Sequence, residues 1–376
     1  MNTSAITQPV TDFQQAIQTF VDTGFAGLQM RVNDQYGEWV GSAGVRKLGE
    51  TTPPATDGSF WVGSVTKTFT ATLVLQLVAK GKLTLDDAVA THLPDLGLDE
   101  RITVRMLLNH TSGIFNYTGE YYPDGTVVPG IPATGKDWVD HRFLSYQPIE
   151  LVRLALAKPS RFEPGADWSY SNTNYTIAVL LIEKINGTSY AEALDQLIAQ
   201  PLGLTGTVVP GDLTELPDPH GHGYFRYQDG EEWKVEDVTR QNLSLLAGAG
   251  DLLSTTRDLH VFFSALNSGR LIPEPLLVEM RTGVGPIDYG LGIFVQDLGA
   301  GGTVLHHNGS TPGGFGALMY SSPDGTRTMT ASITMGDADV DPAQVFPAAL
   351  ATLLTEIFKA WSSRPRSGGD GRCGRS

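Results

Sequence analysis

Strand-forming segments occupy the two ends of this chain and helix-forming segments fill its middle. Short runs of alternating or β-branched character fall at residues 27–33 and 39–45. They return only at 291–295, 303–307, 315–320 and 329–335. Asp34-Gln35-Tyr36-Gly37 joins the first two as a hairpin, and Pro323-Asp324-Gly325 turns the last pair back on itself. Two strands cannot form a stable sheet alone. The simplest solution is one antiparallel sheet assembled from both chain ends, with helices on its faces and a helical domain inserted between its halves. The expected fold class is therefore α/β (α+β). The sheet domain takes residues 1–80 and 255–361, and the helical domain takes 81–254.

Helical signals fit this plan. Phe13, Ile17, Phe20 and Val21 share one face of an N-terminal helix that Thr11 or Asp12 can cap. Residues 64–80 place Phe69, Leu73 and Leu77 four apart and stop at Gly81. Thr103 opens a short helix, and Ser189-Tyr190-Ala191-Glu192 is a capping box. Ser254 is expected to cap the helix carrying Leu259, Phe262, Phe263 and Leu266. Residues 117–136, rich in Gly, Pro and Tyr, read as a long surface loop. A last helix spans about 342–361, and the Arg-Gly-Ser tail 362–376 reads as disordered or as a cloning remnant.

Composition narrows the function classes. Lys+Arg 26 against Asp+Glu 41 gives a net charge of −15. A chain so acidic does not neutralise phosphates, so nucleic acid is not an expected partner. The longest apolar run, 177–182, is far short of a membrane span. Cys373 is the single cysteine, which excludes an intrachain disulfide and a thiolate zinc site. No secretory signal is visible before Arg31, so the expectation is a cytoplasmic chain, or a secreted one that has been trimmed. Oligomeric state is not readable.

Three short segments carry chemistry-bearing residues. In Gly63-Ser64-Val65-Thr66-Lys67, Lys67 is the only one of nine lysines with a serine three residues before it. That spacing stacks the amine over the hydroxyl on one helix face. A desolvated amine can take a serine proton, although a serine at a helix start is ordinarily an N-cap. Tyr170-Ser171-Asn172 pairs a phenol with an amide and also fits a buried tyrosine followed by a helix cap. His307-Asn308-Gly309-Ser310 ends a strand, and Gly309 permits close approach of a ligand to the backbone. Backbone N–H groups of Ser64 and Ser310 would make an oxyanion hole. His220-Gly221-His222 and His306-His307 lack accompanying carboxylates or cysteines, so no metal and no cofactor is expected. His110 reads as structural.

Taken together, these segments resemble the serine β-lactamase and penicillin-binding superfamily, especially class C β-lactamases and soluble serine D-alanyl-D-alanine carboxypeptidases. The resemblance covers about residues 27–361. It includes Val62-Gly63-Ser64-Val65-Thr66-Lys67, Leu107-Leu108-Asn109-His110-Thr111-Ser112-Gly113, Tyr170-Ser171-Asn172-Thr173-Asn174 and Tyr289-Gly290-Leu291-Gly292. It implies a helical domain packed on an antiparallel sheet, with Ser64 as nucleophile, Lys67 activating it and Tyr170 as general base and then acid. Asn172 would bind the acyl-side amide, and His307 would stand where the family often has lysine. Asn308, Gly309 and Ser310 would line the substrate. The carboxypeptidases carry an arginine soon after the Tyr-Gly-Leu-Gly stretch, for the substrate carboxylate. Here Ile293-Phe294-Val295-Gln296 follows, and Phe294 would give the leaving-group pocket an apolar wall. The expected activity is an acyl-enzyme hydrolase of a D-alanyl-D-alanine-like peptide amide or ester, with β-lactams as possible acylating ligands. An esterase, a class C-type β-lactamase, a peptide acyltransferase and a penicillin-binding sensor that does not turn over remain open.

Overall fold

The computed structural model describes residues 13–299 and 302–362. Six strands form one antiparallel sheet: β1 (Phe25–Asp34), β2 (Gly37–Gly44), β3 (Phe294–Asp297), β4 (Thr303–Ser310), β5 (Phe315–Ser321) and β6 (Thr328–Met335). Their order is β2-β1-β6-β5-β4-β3. β1 lies against β6, with Leu28 opposite Ile333 and Met30 opposite Ala331, so the two chain ends meet at the centre of the sheet. The expected hairpin between β1 and β2 is present, with Asp34 opposite Gly37.

Alternation along the strands sends side chains to two different layers. Leu28, Met30, Val32, Leu318, Tyr320, Met329, Ala331 and Ile333 face helices α1 (Phe13–Val21) and α5 (Pro342–Ser362), where Ile17, Phe20, Leu353 and Ile357 complete the packing. Phe315, Ala317 and Met319 face the other way, into the large core formed with helices α2 (Thr66–Ala79), α3 (Asn172–Asn186) and α4 (Thr256–Asn267). There Phe69 of α2 stacks on Phe262 of α4, with ring centroids 3.6 Å apart. α2 is buried on all sides from Thr66 to Leu77, so it is a central helix and not the one-faced helix that Phe69, Leu73 and Leu77 suggest.

Several local expectations shift. Thr255, not Ser254, caps α4, accepting from Asp258 N–H. The Ser254 hydroxyl instead meets that of Thr207 at 2.9 Å. Residues 291–293 are not strand: Gly290 N–H donates to the Ile293 carbonyl, Gly292 sits at φ +81°, and β3 starts only at Phe294. The loop 117–136 contains a small hairpin, Gly119–Tyr121 against Val127–Pro129. A second hairpin, Tyr224–Asp229 with Glu232–Asp237, has no counterpart in the sequence reading, although Asp229-Gly230 is a turn signal. Thr103 and the Ser189–Glu192 capping box act as expected. The expected caps Thr11 and Asp12, Cys373 and the tail from residue 363 lie outside the described residues. No described helix is long and apolar enough to cross a membrane.

Candidate active site

Ser64 lies in a 3-10 turn, Gly63–Val65, that leads directly into α2. Val65 is the N-cap of α2 and no side chain caps that helix, so the Ser64 hydroxyl has no capping duty. Gly63 has φ +52°, a conformation costly for any residue with a Cβ. A Cβ there would stand 2.5 Å from the Ser310 carbonyl oxygen, and one on Gly309 would stand 2.0 Å from that of Val62. Two glycines thus let the end of β4 lie directly on the turn that carries Ser64.

Lys67, one helical turn on, is fully buried. Its Nζ lies 3.2 Å from Ser64 Oγ and donates to Asn172 Oδ1 at 2.9 Å and to the Ala249 carbonyl at 2.7 Å. Burial holds the amine well below its ordinary pKa, and the charge of Asp251 works in the opposite direction. Asp251 is itself buried and is pushed up to about 7 by the same cause. Its Oδ1 accepts the Gly248 N–H at 3.0 Å and so closes the turn that presents Ala249 to Lys67.

Burial raises the Tyr170 pKa, and the interaction of its phenol with the Ser64 side chain works the other way. Lys67 Nζ sits 4.6 Å from the Tyr170 ring centroid. Asn172 begins α3, and its backbone N–H donates to Asn116 Oδ1 at 3.2 Å. Behind Asn116, the carboxylate of Glu120 accepts the Asn116 N–H and pairs with Arg161. The structure thus brings Ser64, Lys67, Tyr170 and Asn172 into one cluster and adds Asn116, Glu120 and Asp251, which the sequence reading does not single out. Glu120 had no legible signal, because its burial depends on an ion pair with a residue 41 positions away.

His307 points toward this cluster from β4 but is saturated. Its Nδ1–H donates to the Asn308 carbonyl at 2.7 Å, and its Nε2 meets the Tyr289 hydroxyl at 3.1 Å. Burial first, then the charge of Lys67, holds it well below the ordinary histidine range, so it is neutral. Ser310 stands opposite Gly316, while Thr311 N–H donates to the Phe315 carbonyl. Antiparallel bonds alternate, so Ser310 N–H points off the other edge of β4, beyond the point where β3 stops pairing at His306. That edge is the one lying on Gly63.

Two expected substrate contacts are not brought in. Asn308 follows the strand alternation to the opposite face, where Nδ2 donates to the Tyr320 hydroxyl at 3.0 Å. Phe294 pairs with His306 and stacks on it at 5.0 Å, meeting Tyr289 and His307 only edge-on at 4.6 and 5.1 Å. It borders the site and does not wall it squarely. His306 and His307 lie on opposite faces of the sheet and do not form one ligand pair. His220 and His222 each sit beside a carboxylate, Asp218 and Asp237, and among the described residues no three His, Cys, Asp or Glu side chains gather closely enough to hold a metal.

A serine backed by a buried amine and a phenol, set between a helical layer and an antiparallel sheet, marks a serine hydrolase. The chain belongs to the Beta-lactamase family, whose profile matches residues 13–352. It is similar to a D-stereospecific amidohydrolase from Streptomyces sp., at 36% identity over 90% of this chain and 97% of that one, with a TM-score of 0.78. It is similar to the D-amino acid amidase of Ochrobactrum anthropi SV3 solved with D-phenylalanine, at 25% identity, 93% and 99% coverage and a TM-score of 0.78. Penicillin-binding protein 4* of Bacillus subtilis (strain 168) is 30% identical over 300 residues, which are 77% of this chain but only 63% of that protein.

Proposed function

We propose that the protein is a D-stereospecific amidohydrolase that works through an acyl-enzyme on Ser64 and accepts leaving groups without a carboxylate. The observation that carries the reading is the buried Lys67 amine 3.2 Å from Ser64 Oγ, with the Tyr170 side chain interacting with the same serine. With Lys67 neutral, its two N–H groups satisfy Asn172 Oδ1 and the Ala249 carbonyl, and its lone pair is left facing Ser64 Oγ. Burial favours that neutral amine and disfavours a phenolate at Tyr170. Lys67 is therefore the better proton acceptor, and Tyr170 the relay. This reverses the emphasis that the family resemblance suggests.

Ser64 Oγ forms a bond to the substrate carbonyl carbon as its proton passes to Lys67. The N–H groups of Ser64 and Ser310 receive the oxyanion. The proton moves on through Tyr170 to the departing nitrogen or oxygen as the C–N or C–O bond breaks. Water then repeats the sequence on the ester. In this reading residues 81–254 contribute Tyr170 and Asn172, and the sheet segments 1–80 and 255–361 contribute Ser64, Gly309 and Ser310.

The neutral leaving group rests on the missing cation. Phe294 stands after the Tyr-Gly-Leu-Gly stretch, and the nearest arginine in sequence before it, Arg281, donates to the carbonyls of Asn267 and Pro323. A guanidinium–carboxylate pair has no apolar substitute. The two structural relatives named for D-specific amide chemistry support the same direction. The test is a panel of D- and L-amino acid amides, a D-alanyl-D-alanine peptide, p-nitrophenyl esters and a β-lactam, read by turnover and by the mass of the Ser64 peptide. Turnover of D-amides with an adduct on Ser64 is expected. Preference for the free-acid dipeptide, or acylation without turnover of any member, overturns the reading.

A further inference from the structure

We infer that His110 is the positioning residue of Tyr170, holding the phenol in register with Ser64 from both sides of the chain. This rests on the role given to Tyr170 above. His110 follows Asn109, the C-cap of the helix Val104–Leu108, and is buried completely. Its backbone carbonyl accepts the Ser169 N–H at 3.1 Å, and its Nδ1 accepts the Ser171 N–H at 3.2 Å. The two residues flanking Tyr170 are thus tied to one residue 60 positions earlier. Its ring lies 4.4 Å from the Tyr170 ring, tilted by 36°, and so limits where the phenol can swing.

The chemistry of the imidazole is fixed. A backbone N–H can only donate, so Nδ1 is an acceptor and the proton is on Nε2. Asn174 Nδ2 approaches the same Nδ1 at 3.2 Å, oriented by Ser112, whose hydroxyl donates to Asn174 Oδ1 at 2.6 Å. Nε2 is buried and has no polar partner among the described residues. Around the imidazole ring stand the rings of Tyr289, Tyr175 and Trp168, with centroids 4.8, 5.3 and 6.0 Å from its own. His110 also has φ +65°, one of two non-glycine residues with positive φ among those described. An orphaned N–H and a left-handed backbone are two separate costs held at one residue. A glycine would relieve both, but it offers neither an acceptor for Ser171 N–H nor a flat face for Tyr170. Strain that persists beside reacting groups points to positioning.

The test uses His110→Asn, which tolerates the left-handed backbone and keeps an acceptor near the place of Nδ1, and His110→Phe, which keeps the ring and loses the acceptor. Each is made alone and with Tyr170→Phe, and folded protein is checked by its thermal transition. Both single variants should lower the rate of Ser64 acylation about tenfold or more, with KM within about threefold, and His110→Asn should be the milder. In the Tyr170→Phe background the same changes should cost less than about threefold, because the group they position is gone. Should His110→Phe fail to fold, His110→Asn and its double variant carry the comparison alone. Equal losses with and without the Tyr170 hydroxyl, or full activity in the single variants while Tyr170→Phe is impaired, overturn the inference. A silent Tyr170→Phe would instead remove the reading of Tyr170 on which it rests.

Discussion

His306 and His307 are neighbours in sequence and stand on opposite faces of one sheet. His306 is stacked between Phe294 and Tyr320, with centroids 5.0 and 4.6 Å away, and its Nδ1 has no partner among the described residues. His307 has both nitrogens bonded and faces Lys67 and Tyr289. The same contrast holds for the two layers. Against α1 and α5 the sheet presents aliphatic and aromatic side chains, and burial there adds roughly 25 cal/mol per Å² without specifying any chemistry. Toward α2 and α3 the buried set includes Lys67, His110, Asn174, Thr176 and Asp251, each with named hydrogen-bond partners. One face secures the fold, and the other accepts the cost of buried polar groups in order to fix their positions.

The largest expected effect tests that division at its centre. Ser64→Ala should abolish the adduct and turnover while changing stability by no more than about 0.5 kcal/mol, because Ser64 caps nothing. A thermal melt with intact-mass analysis after exposure to a β-lactam or an activated ester checks both halves. A persisting adduct would place the nucleophile elsewhere.

Next, Lys67→Ala and Tyr170→Phe should each slow acylation by about 10²-fold or more. Both side chains act on Ser64, so the double variant should be scarcely slower than the worse single one. Single-turnover rates would show this, and additive losses would mean that one of the two acts outside the site. The acid limb of kcat/KM should follow Lys67, and Asp251→Asn should move it to lower pH, since the Asp251 charge is what raises that amine.

Much of this was legible in the sequence because it depends on short-range spacing. Ser64 and Lys67 are three apart and Tyr170 and Asn172 two apart, whereas Gly309, read as making room for a ligand, together with Gly63 makes room for the turn that carries Ser64. What was not legible depends on which way a strand residue faces and on where long loops return. Asn308 was assigned to the substrate side, but the alternation of β4 turns it to Tyr320. The Glu120–Arg161 pair, and the approach of the Gly248–Asp251 turn to Lys67, become visible only when segments far apart in sequence meet. The bend at Gly290–Gly292 delays β3 by three residues, and Phe294, paired with His306, takes that residue's face and only borders the site.

Phe294→Arg sharpens the comparison at that border. The arginine stem can lie along His306 while its guanidinium reaches round the short edge strand toward the leaving-group side. A D-alanyl-D-alanine acid should then gain about 1.5–3 kcal/mol over its methyl ester if the charge-assisted pair forms, which is roughly a tenfold to hundredfold change in relative kcat/KM. In the unaltered enzyme the acid, amide and ester should have similar KM, with the ester reacting faster. A tenfold preference of the unaltered enzyme for the acid would reveal a cation already serving that pocket.

The smallest effect is expected at His306→Phe, on the face that carries no chemistry. Turnover at neutral pH should be unchanged, because the ring stack between Phe294 and Tyr320 is kept and His307 is untouched. The signature is in stability. Burial lowers the His306 pKa to about 4 from its ordinary 6.5. The unfolded chain therefore binds a proton that the folded chain refuses between those values. Stability is whole above about pH 6.5 and declines as the pH falls toward 4, where the folded form also becomes protonated. The variant removes this contribution, so its melting temperature should fall less steeply than that of the parent over the same interval. Parallel pH profiles would show that His306 is not a cost in the fold. A tenfold loss of turnover would show that the Phe294–His306 stack belongs to the site, and the separation of the two faces would then fail at β4.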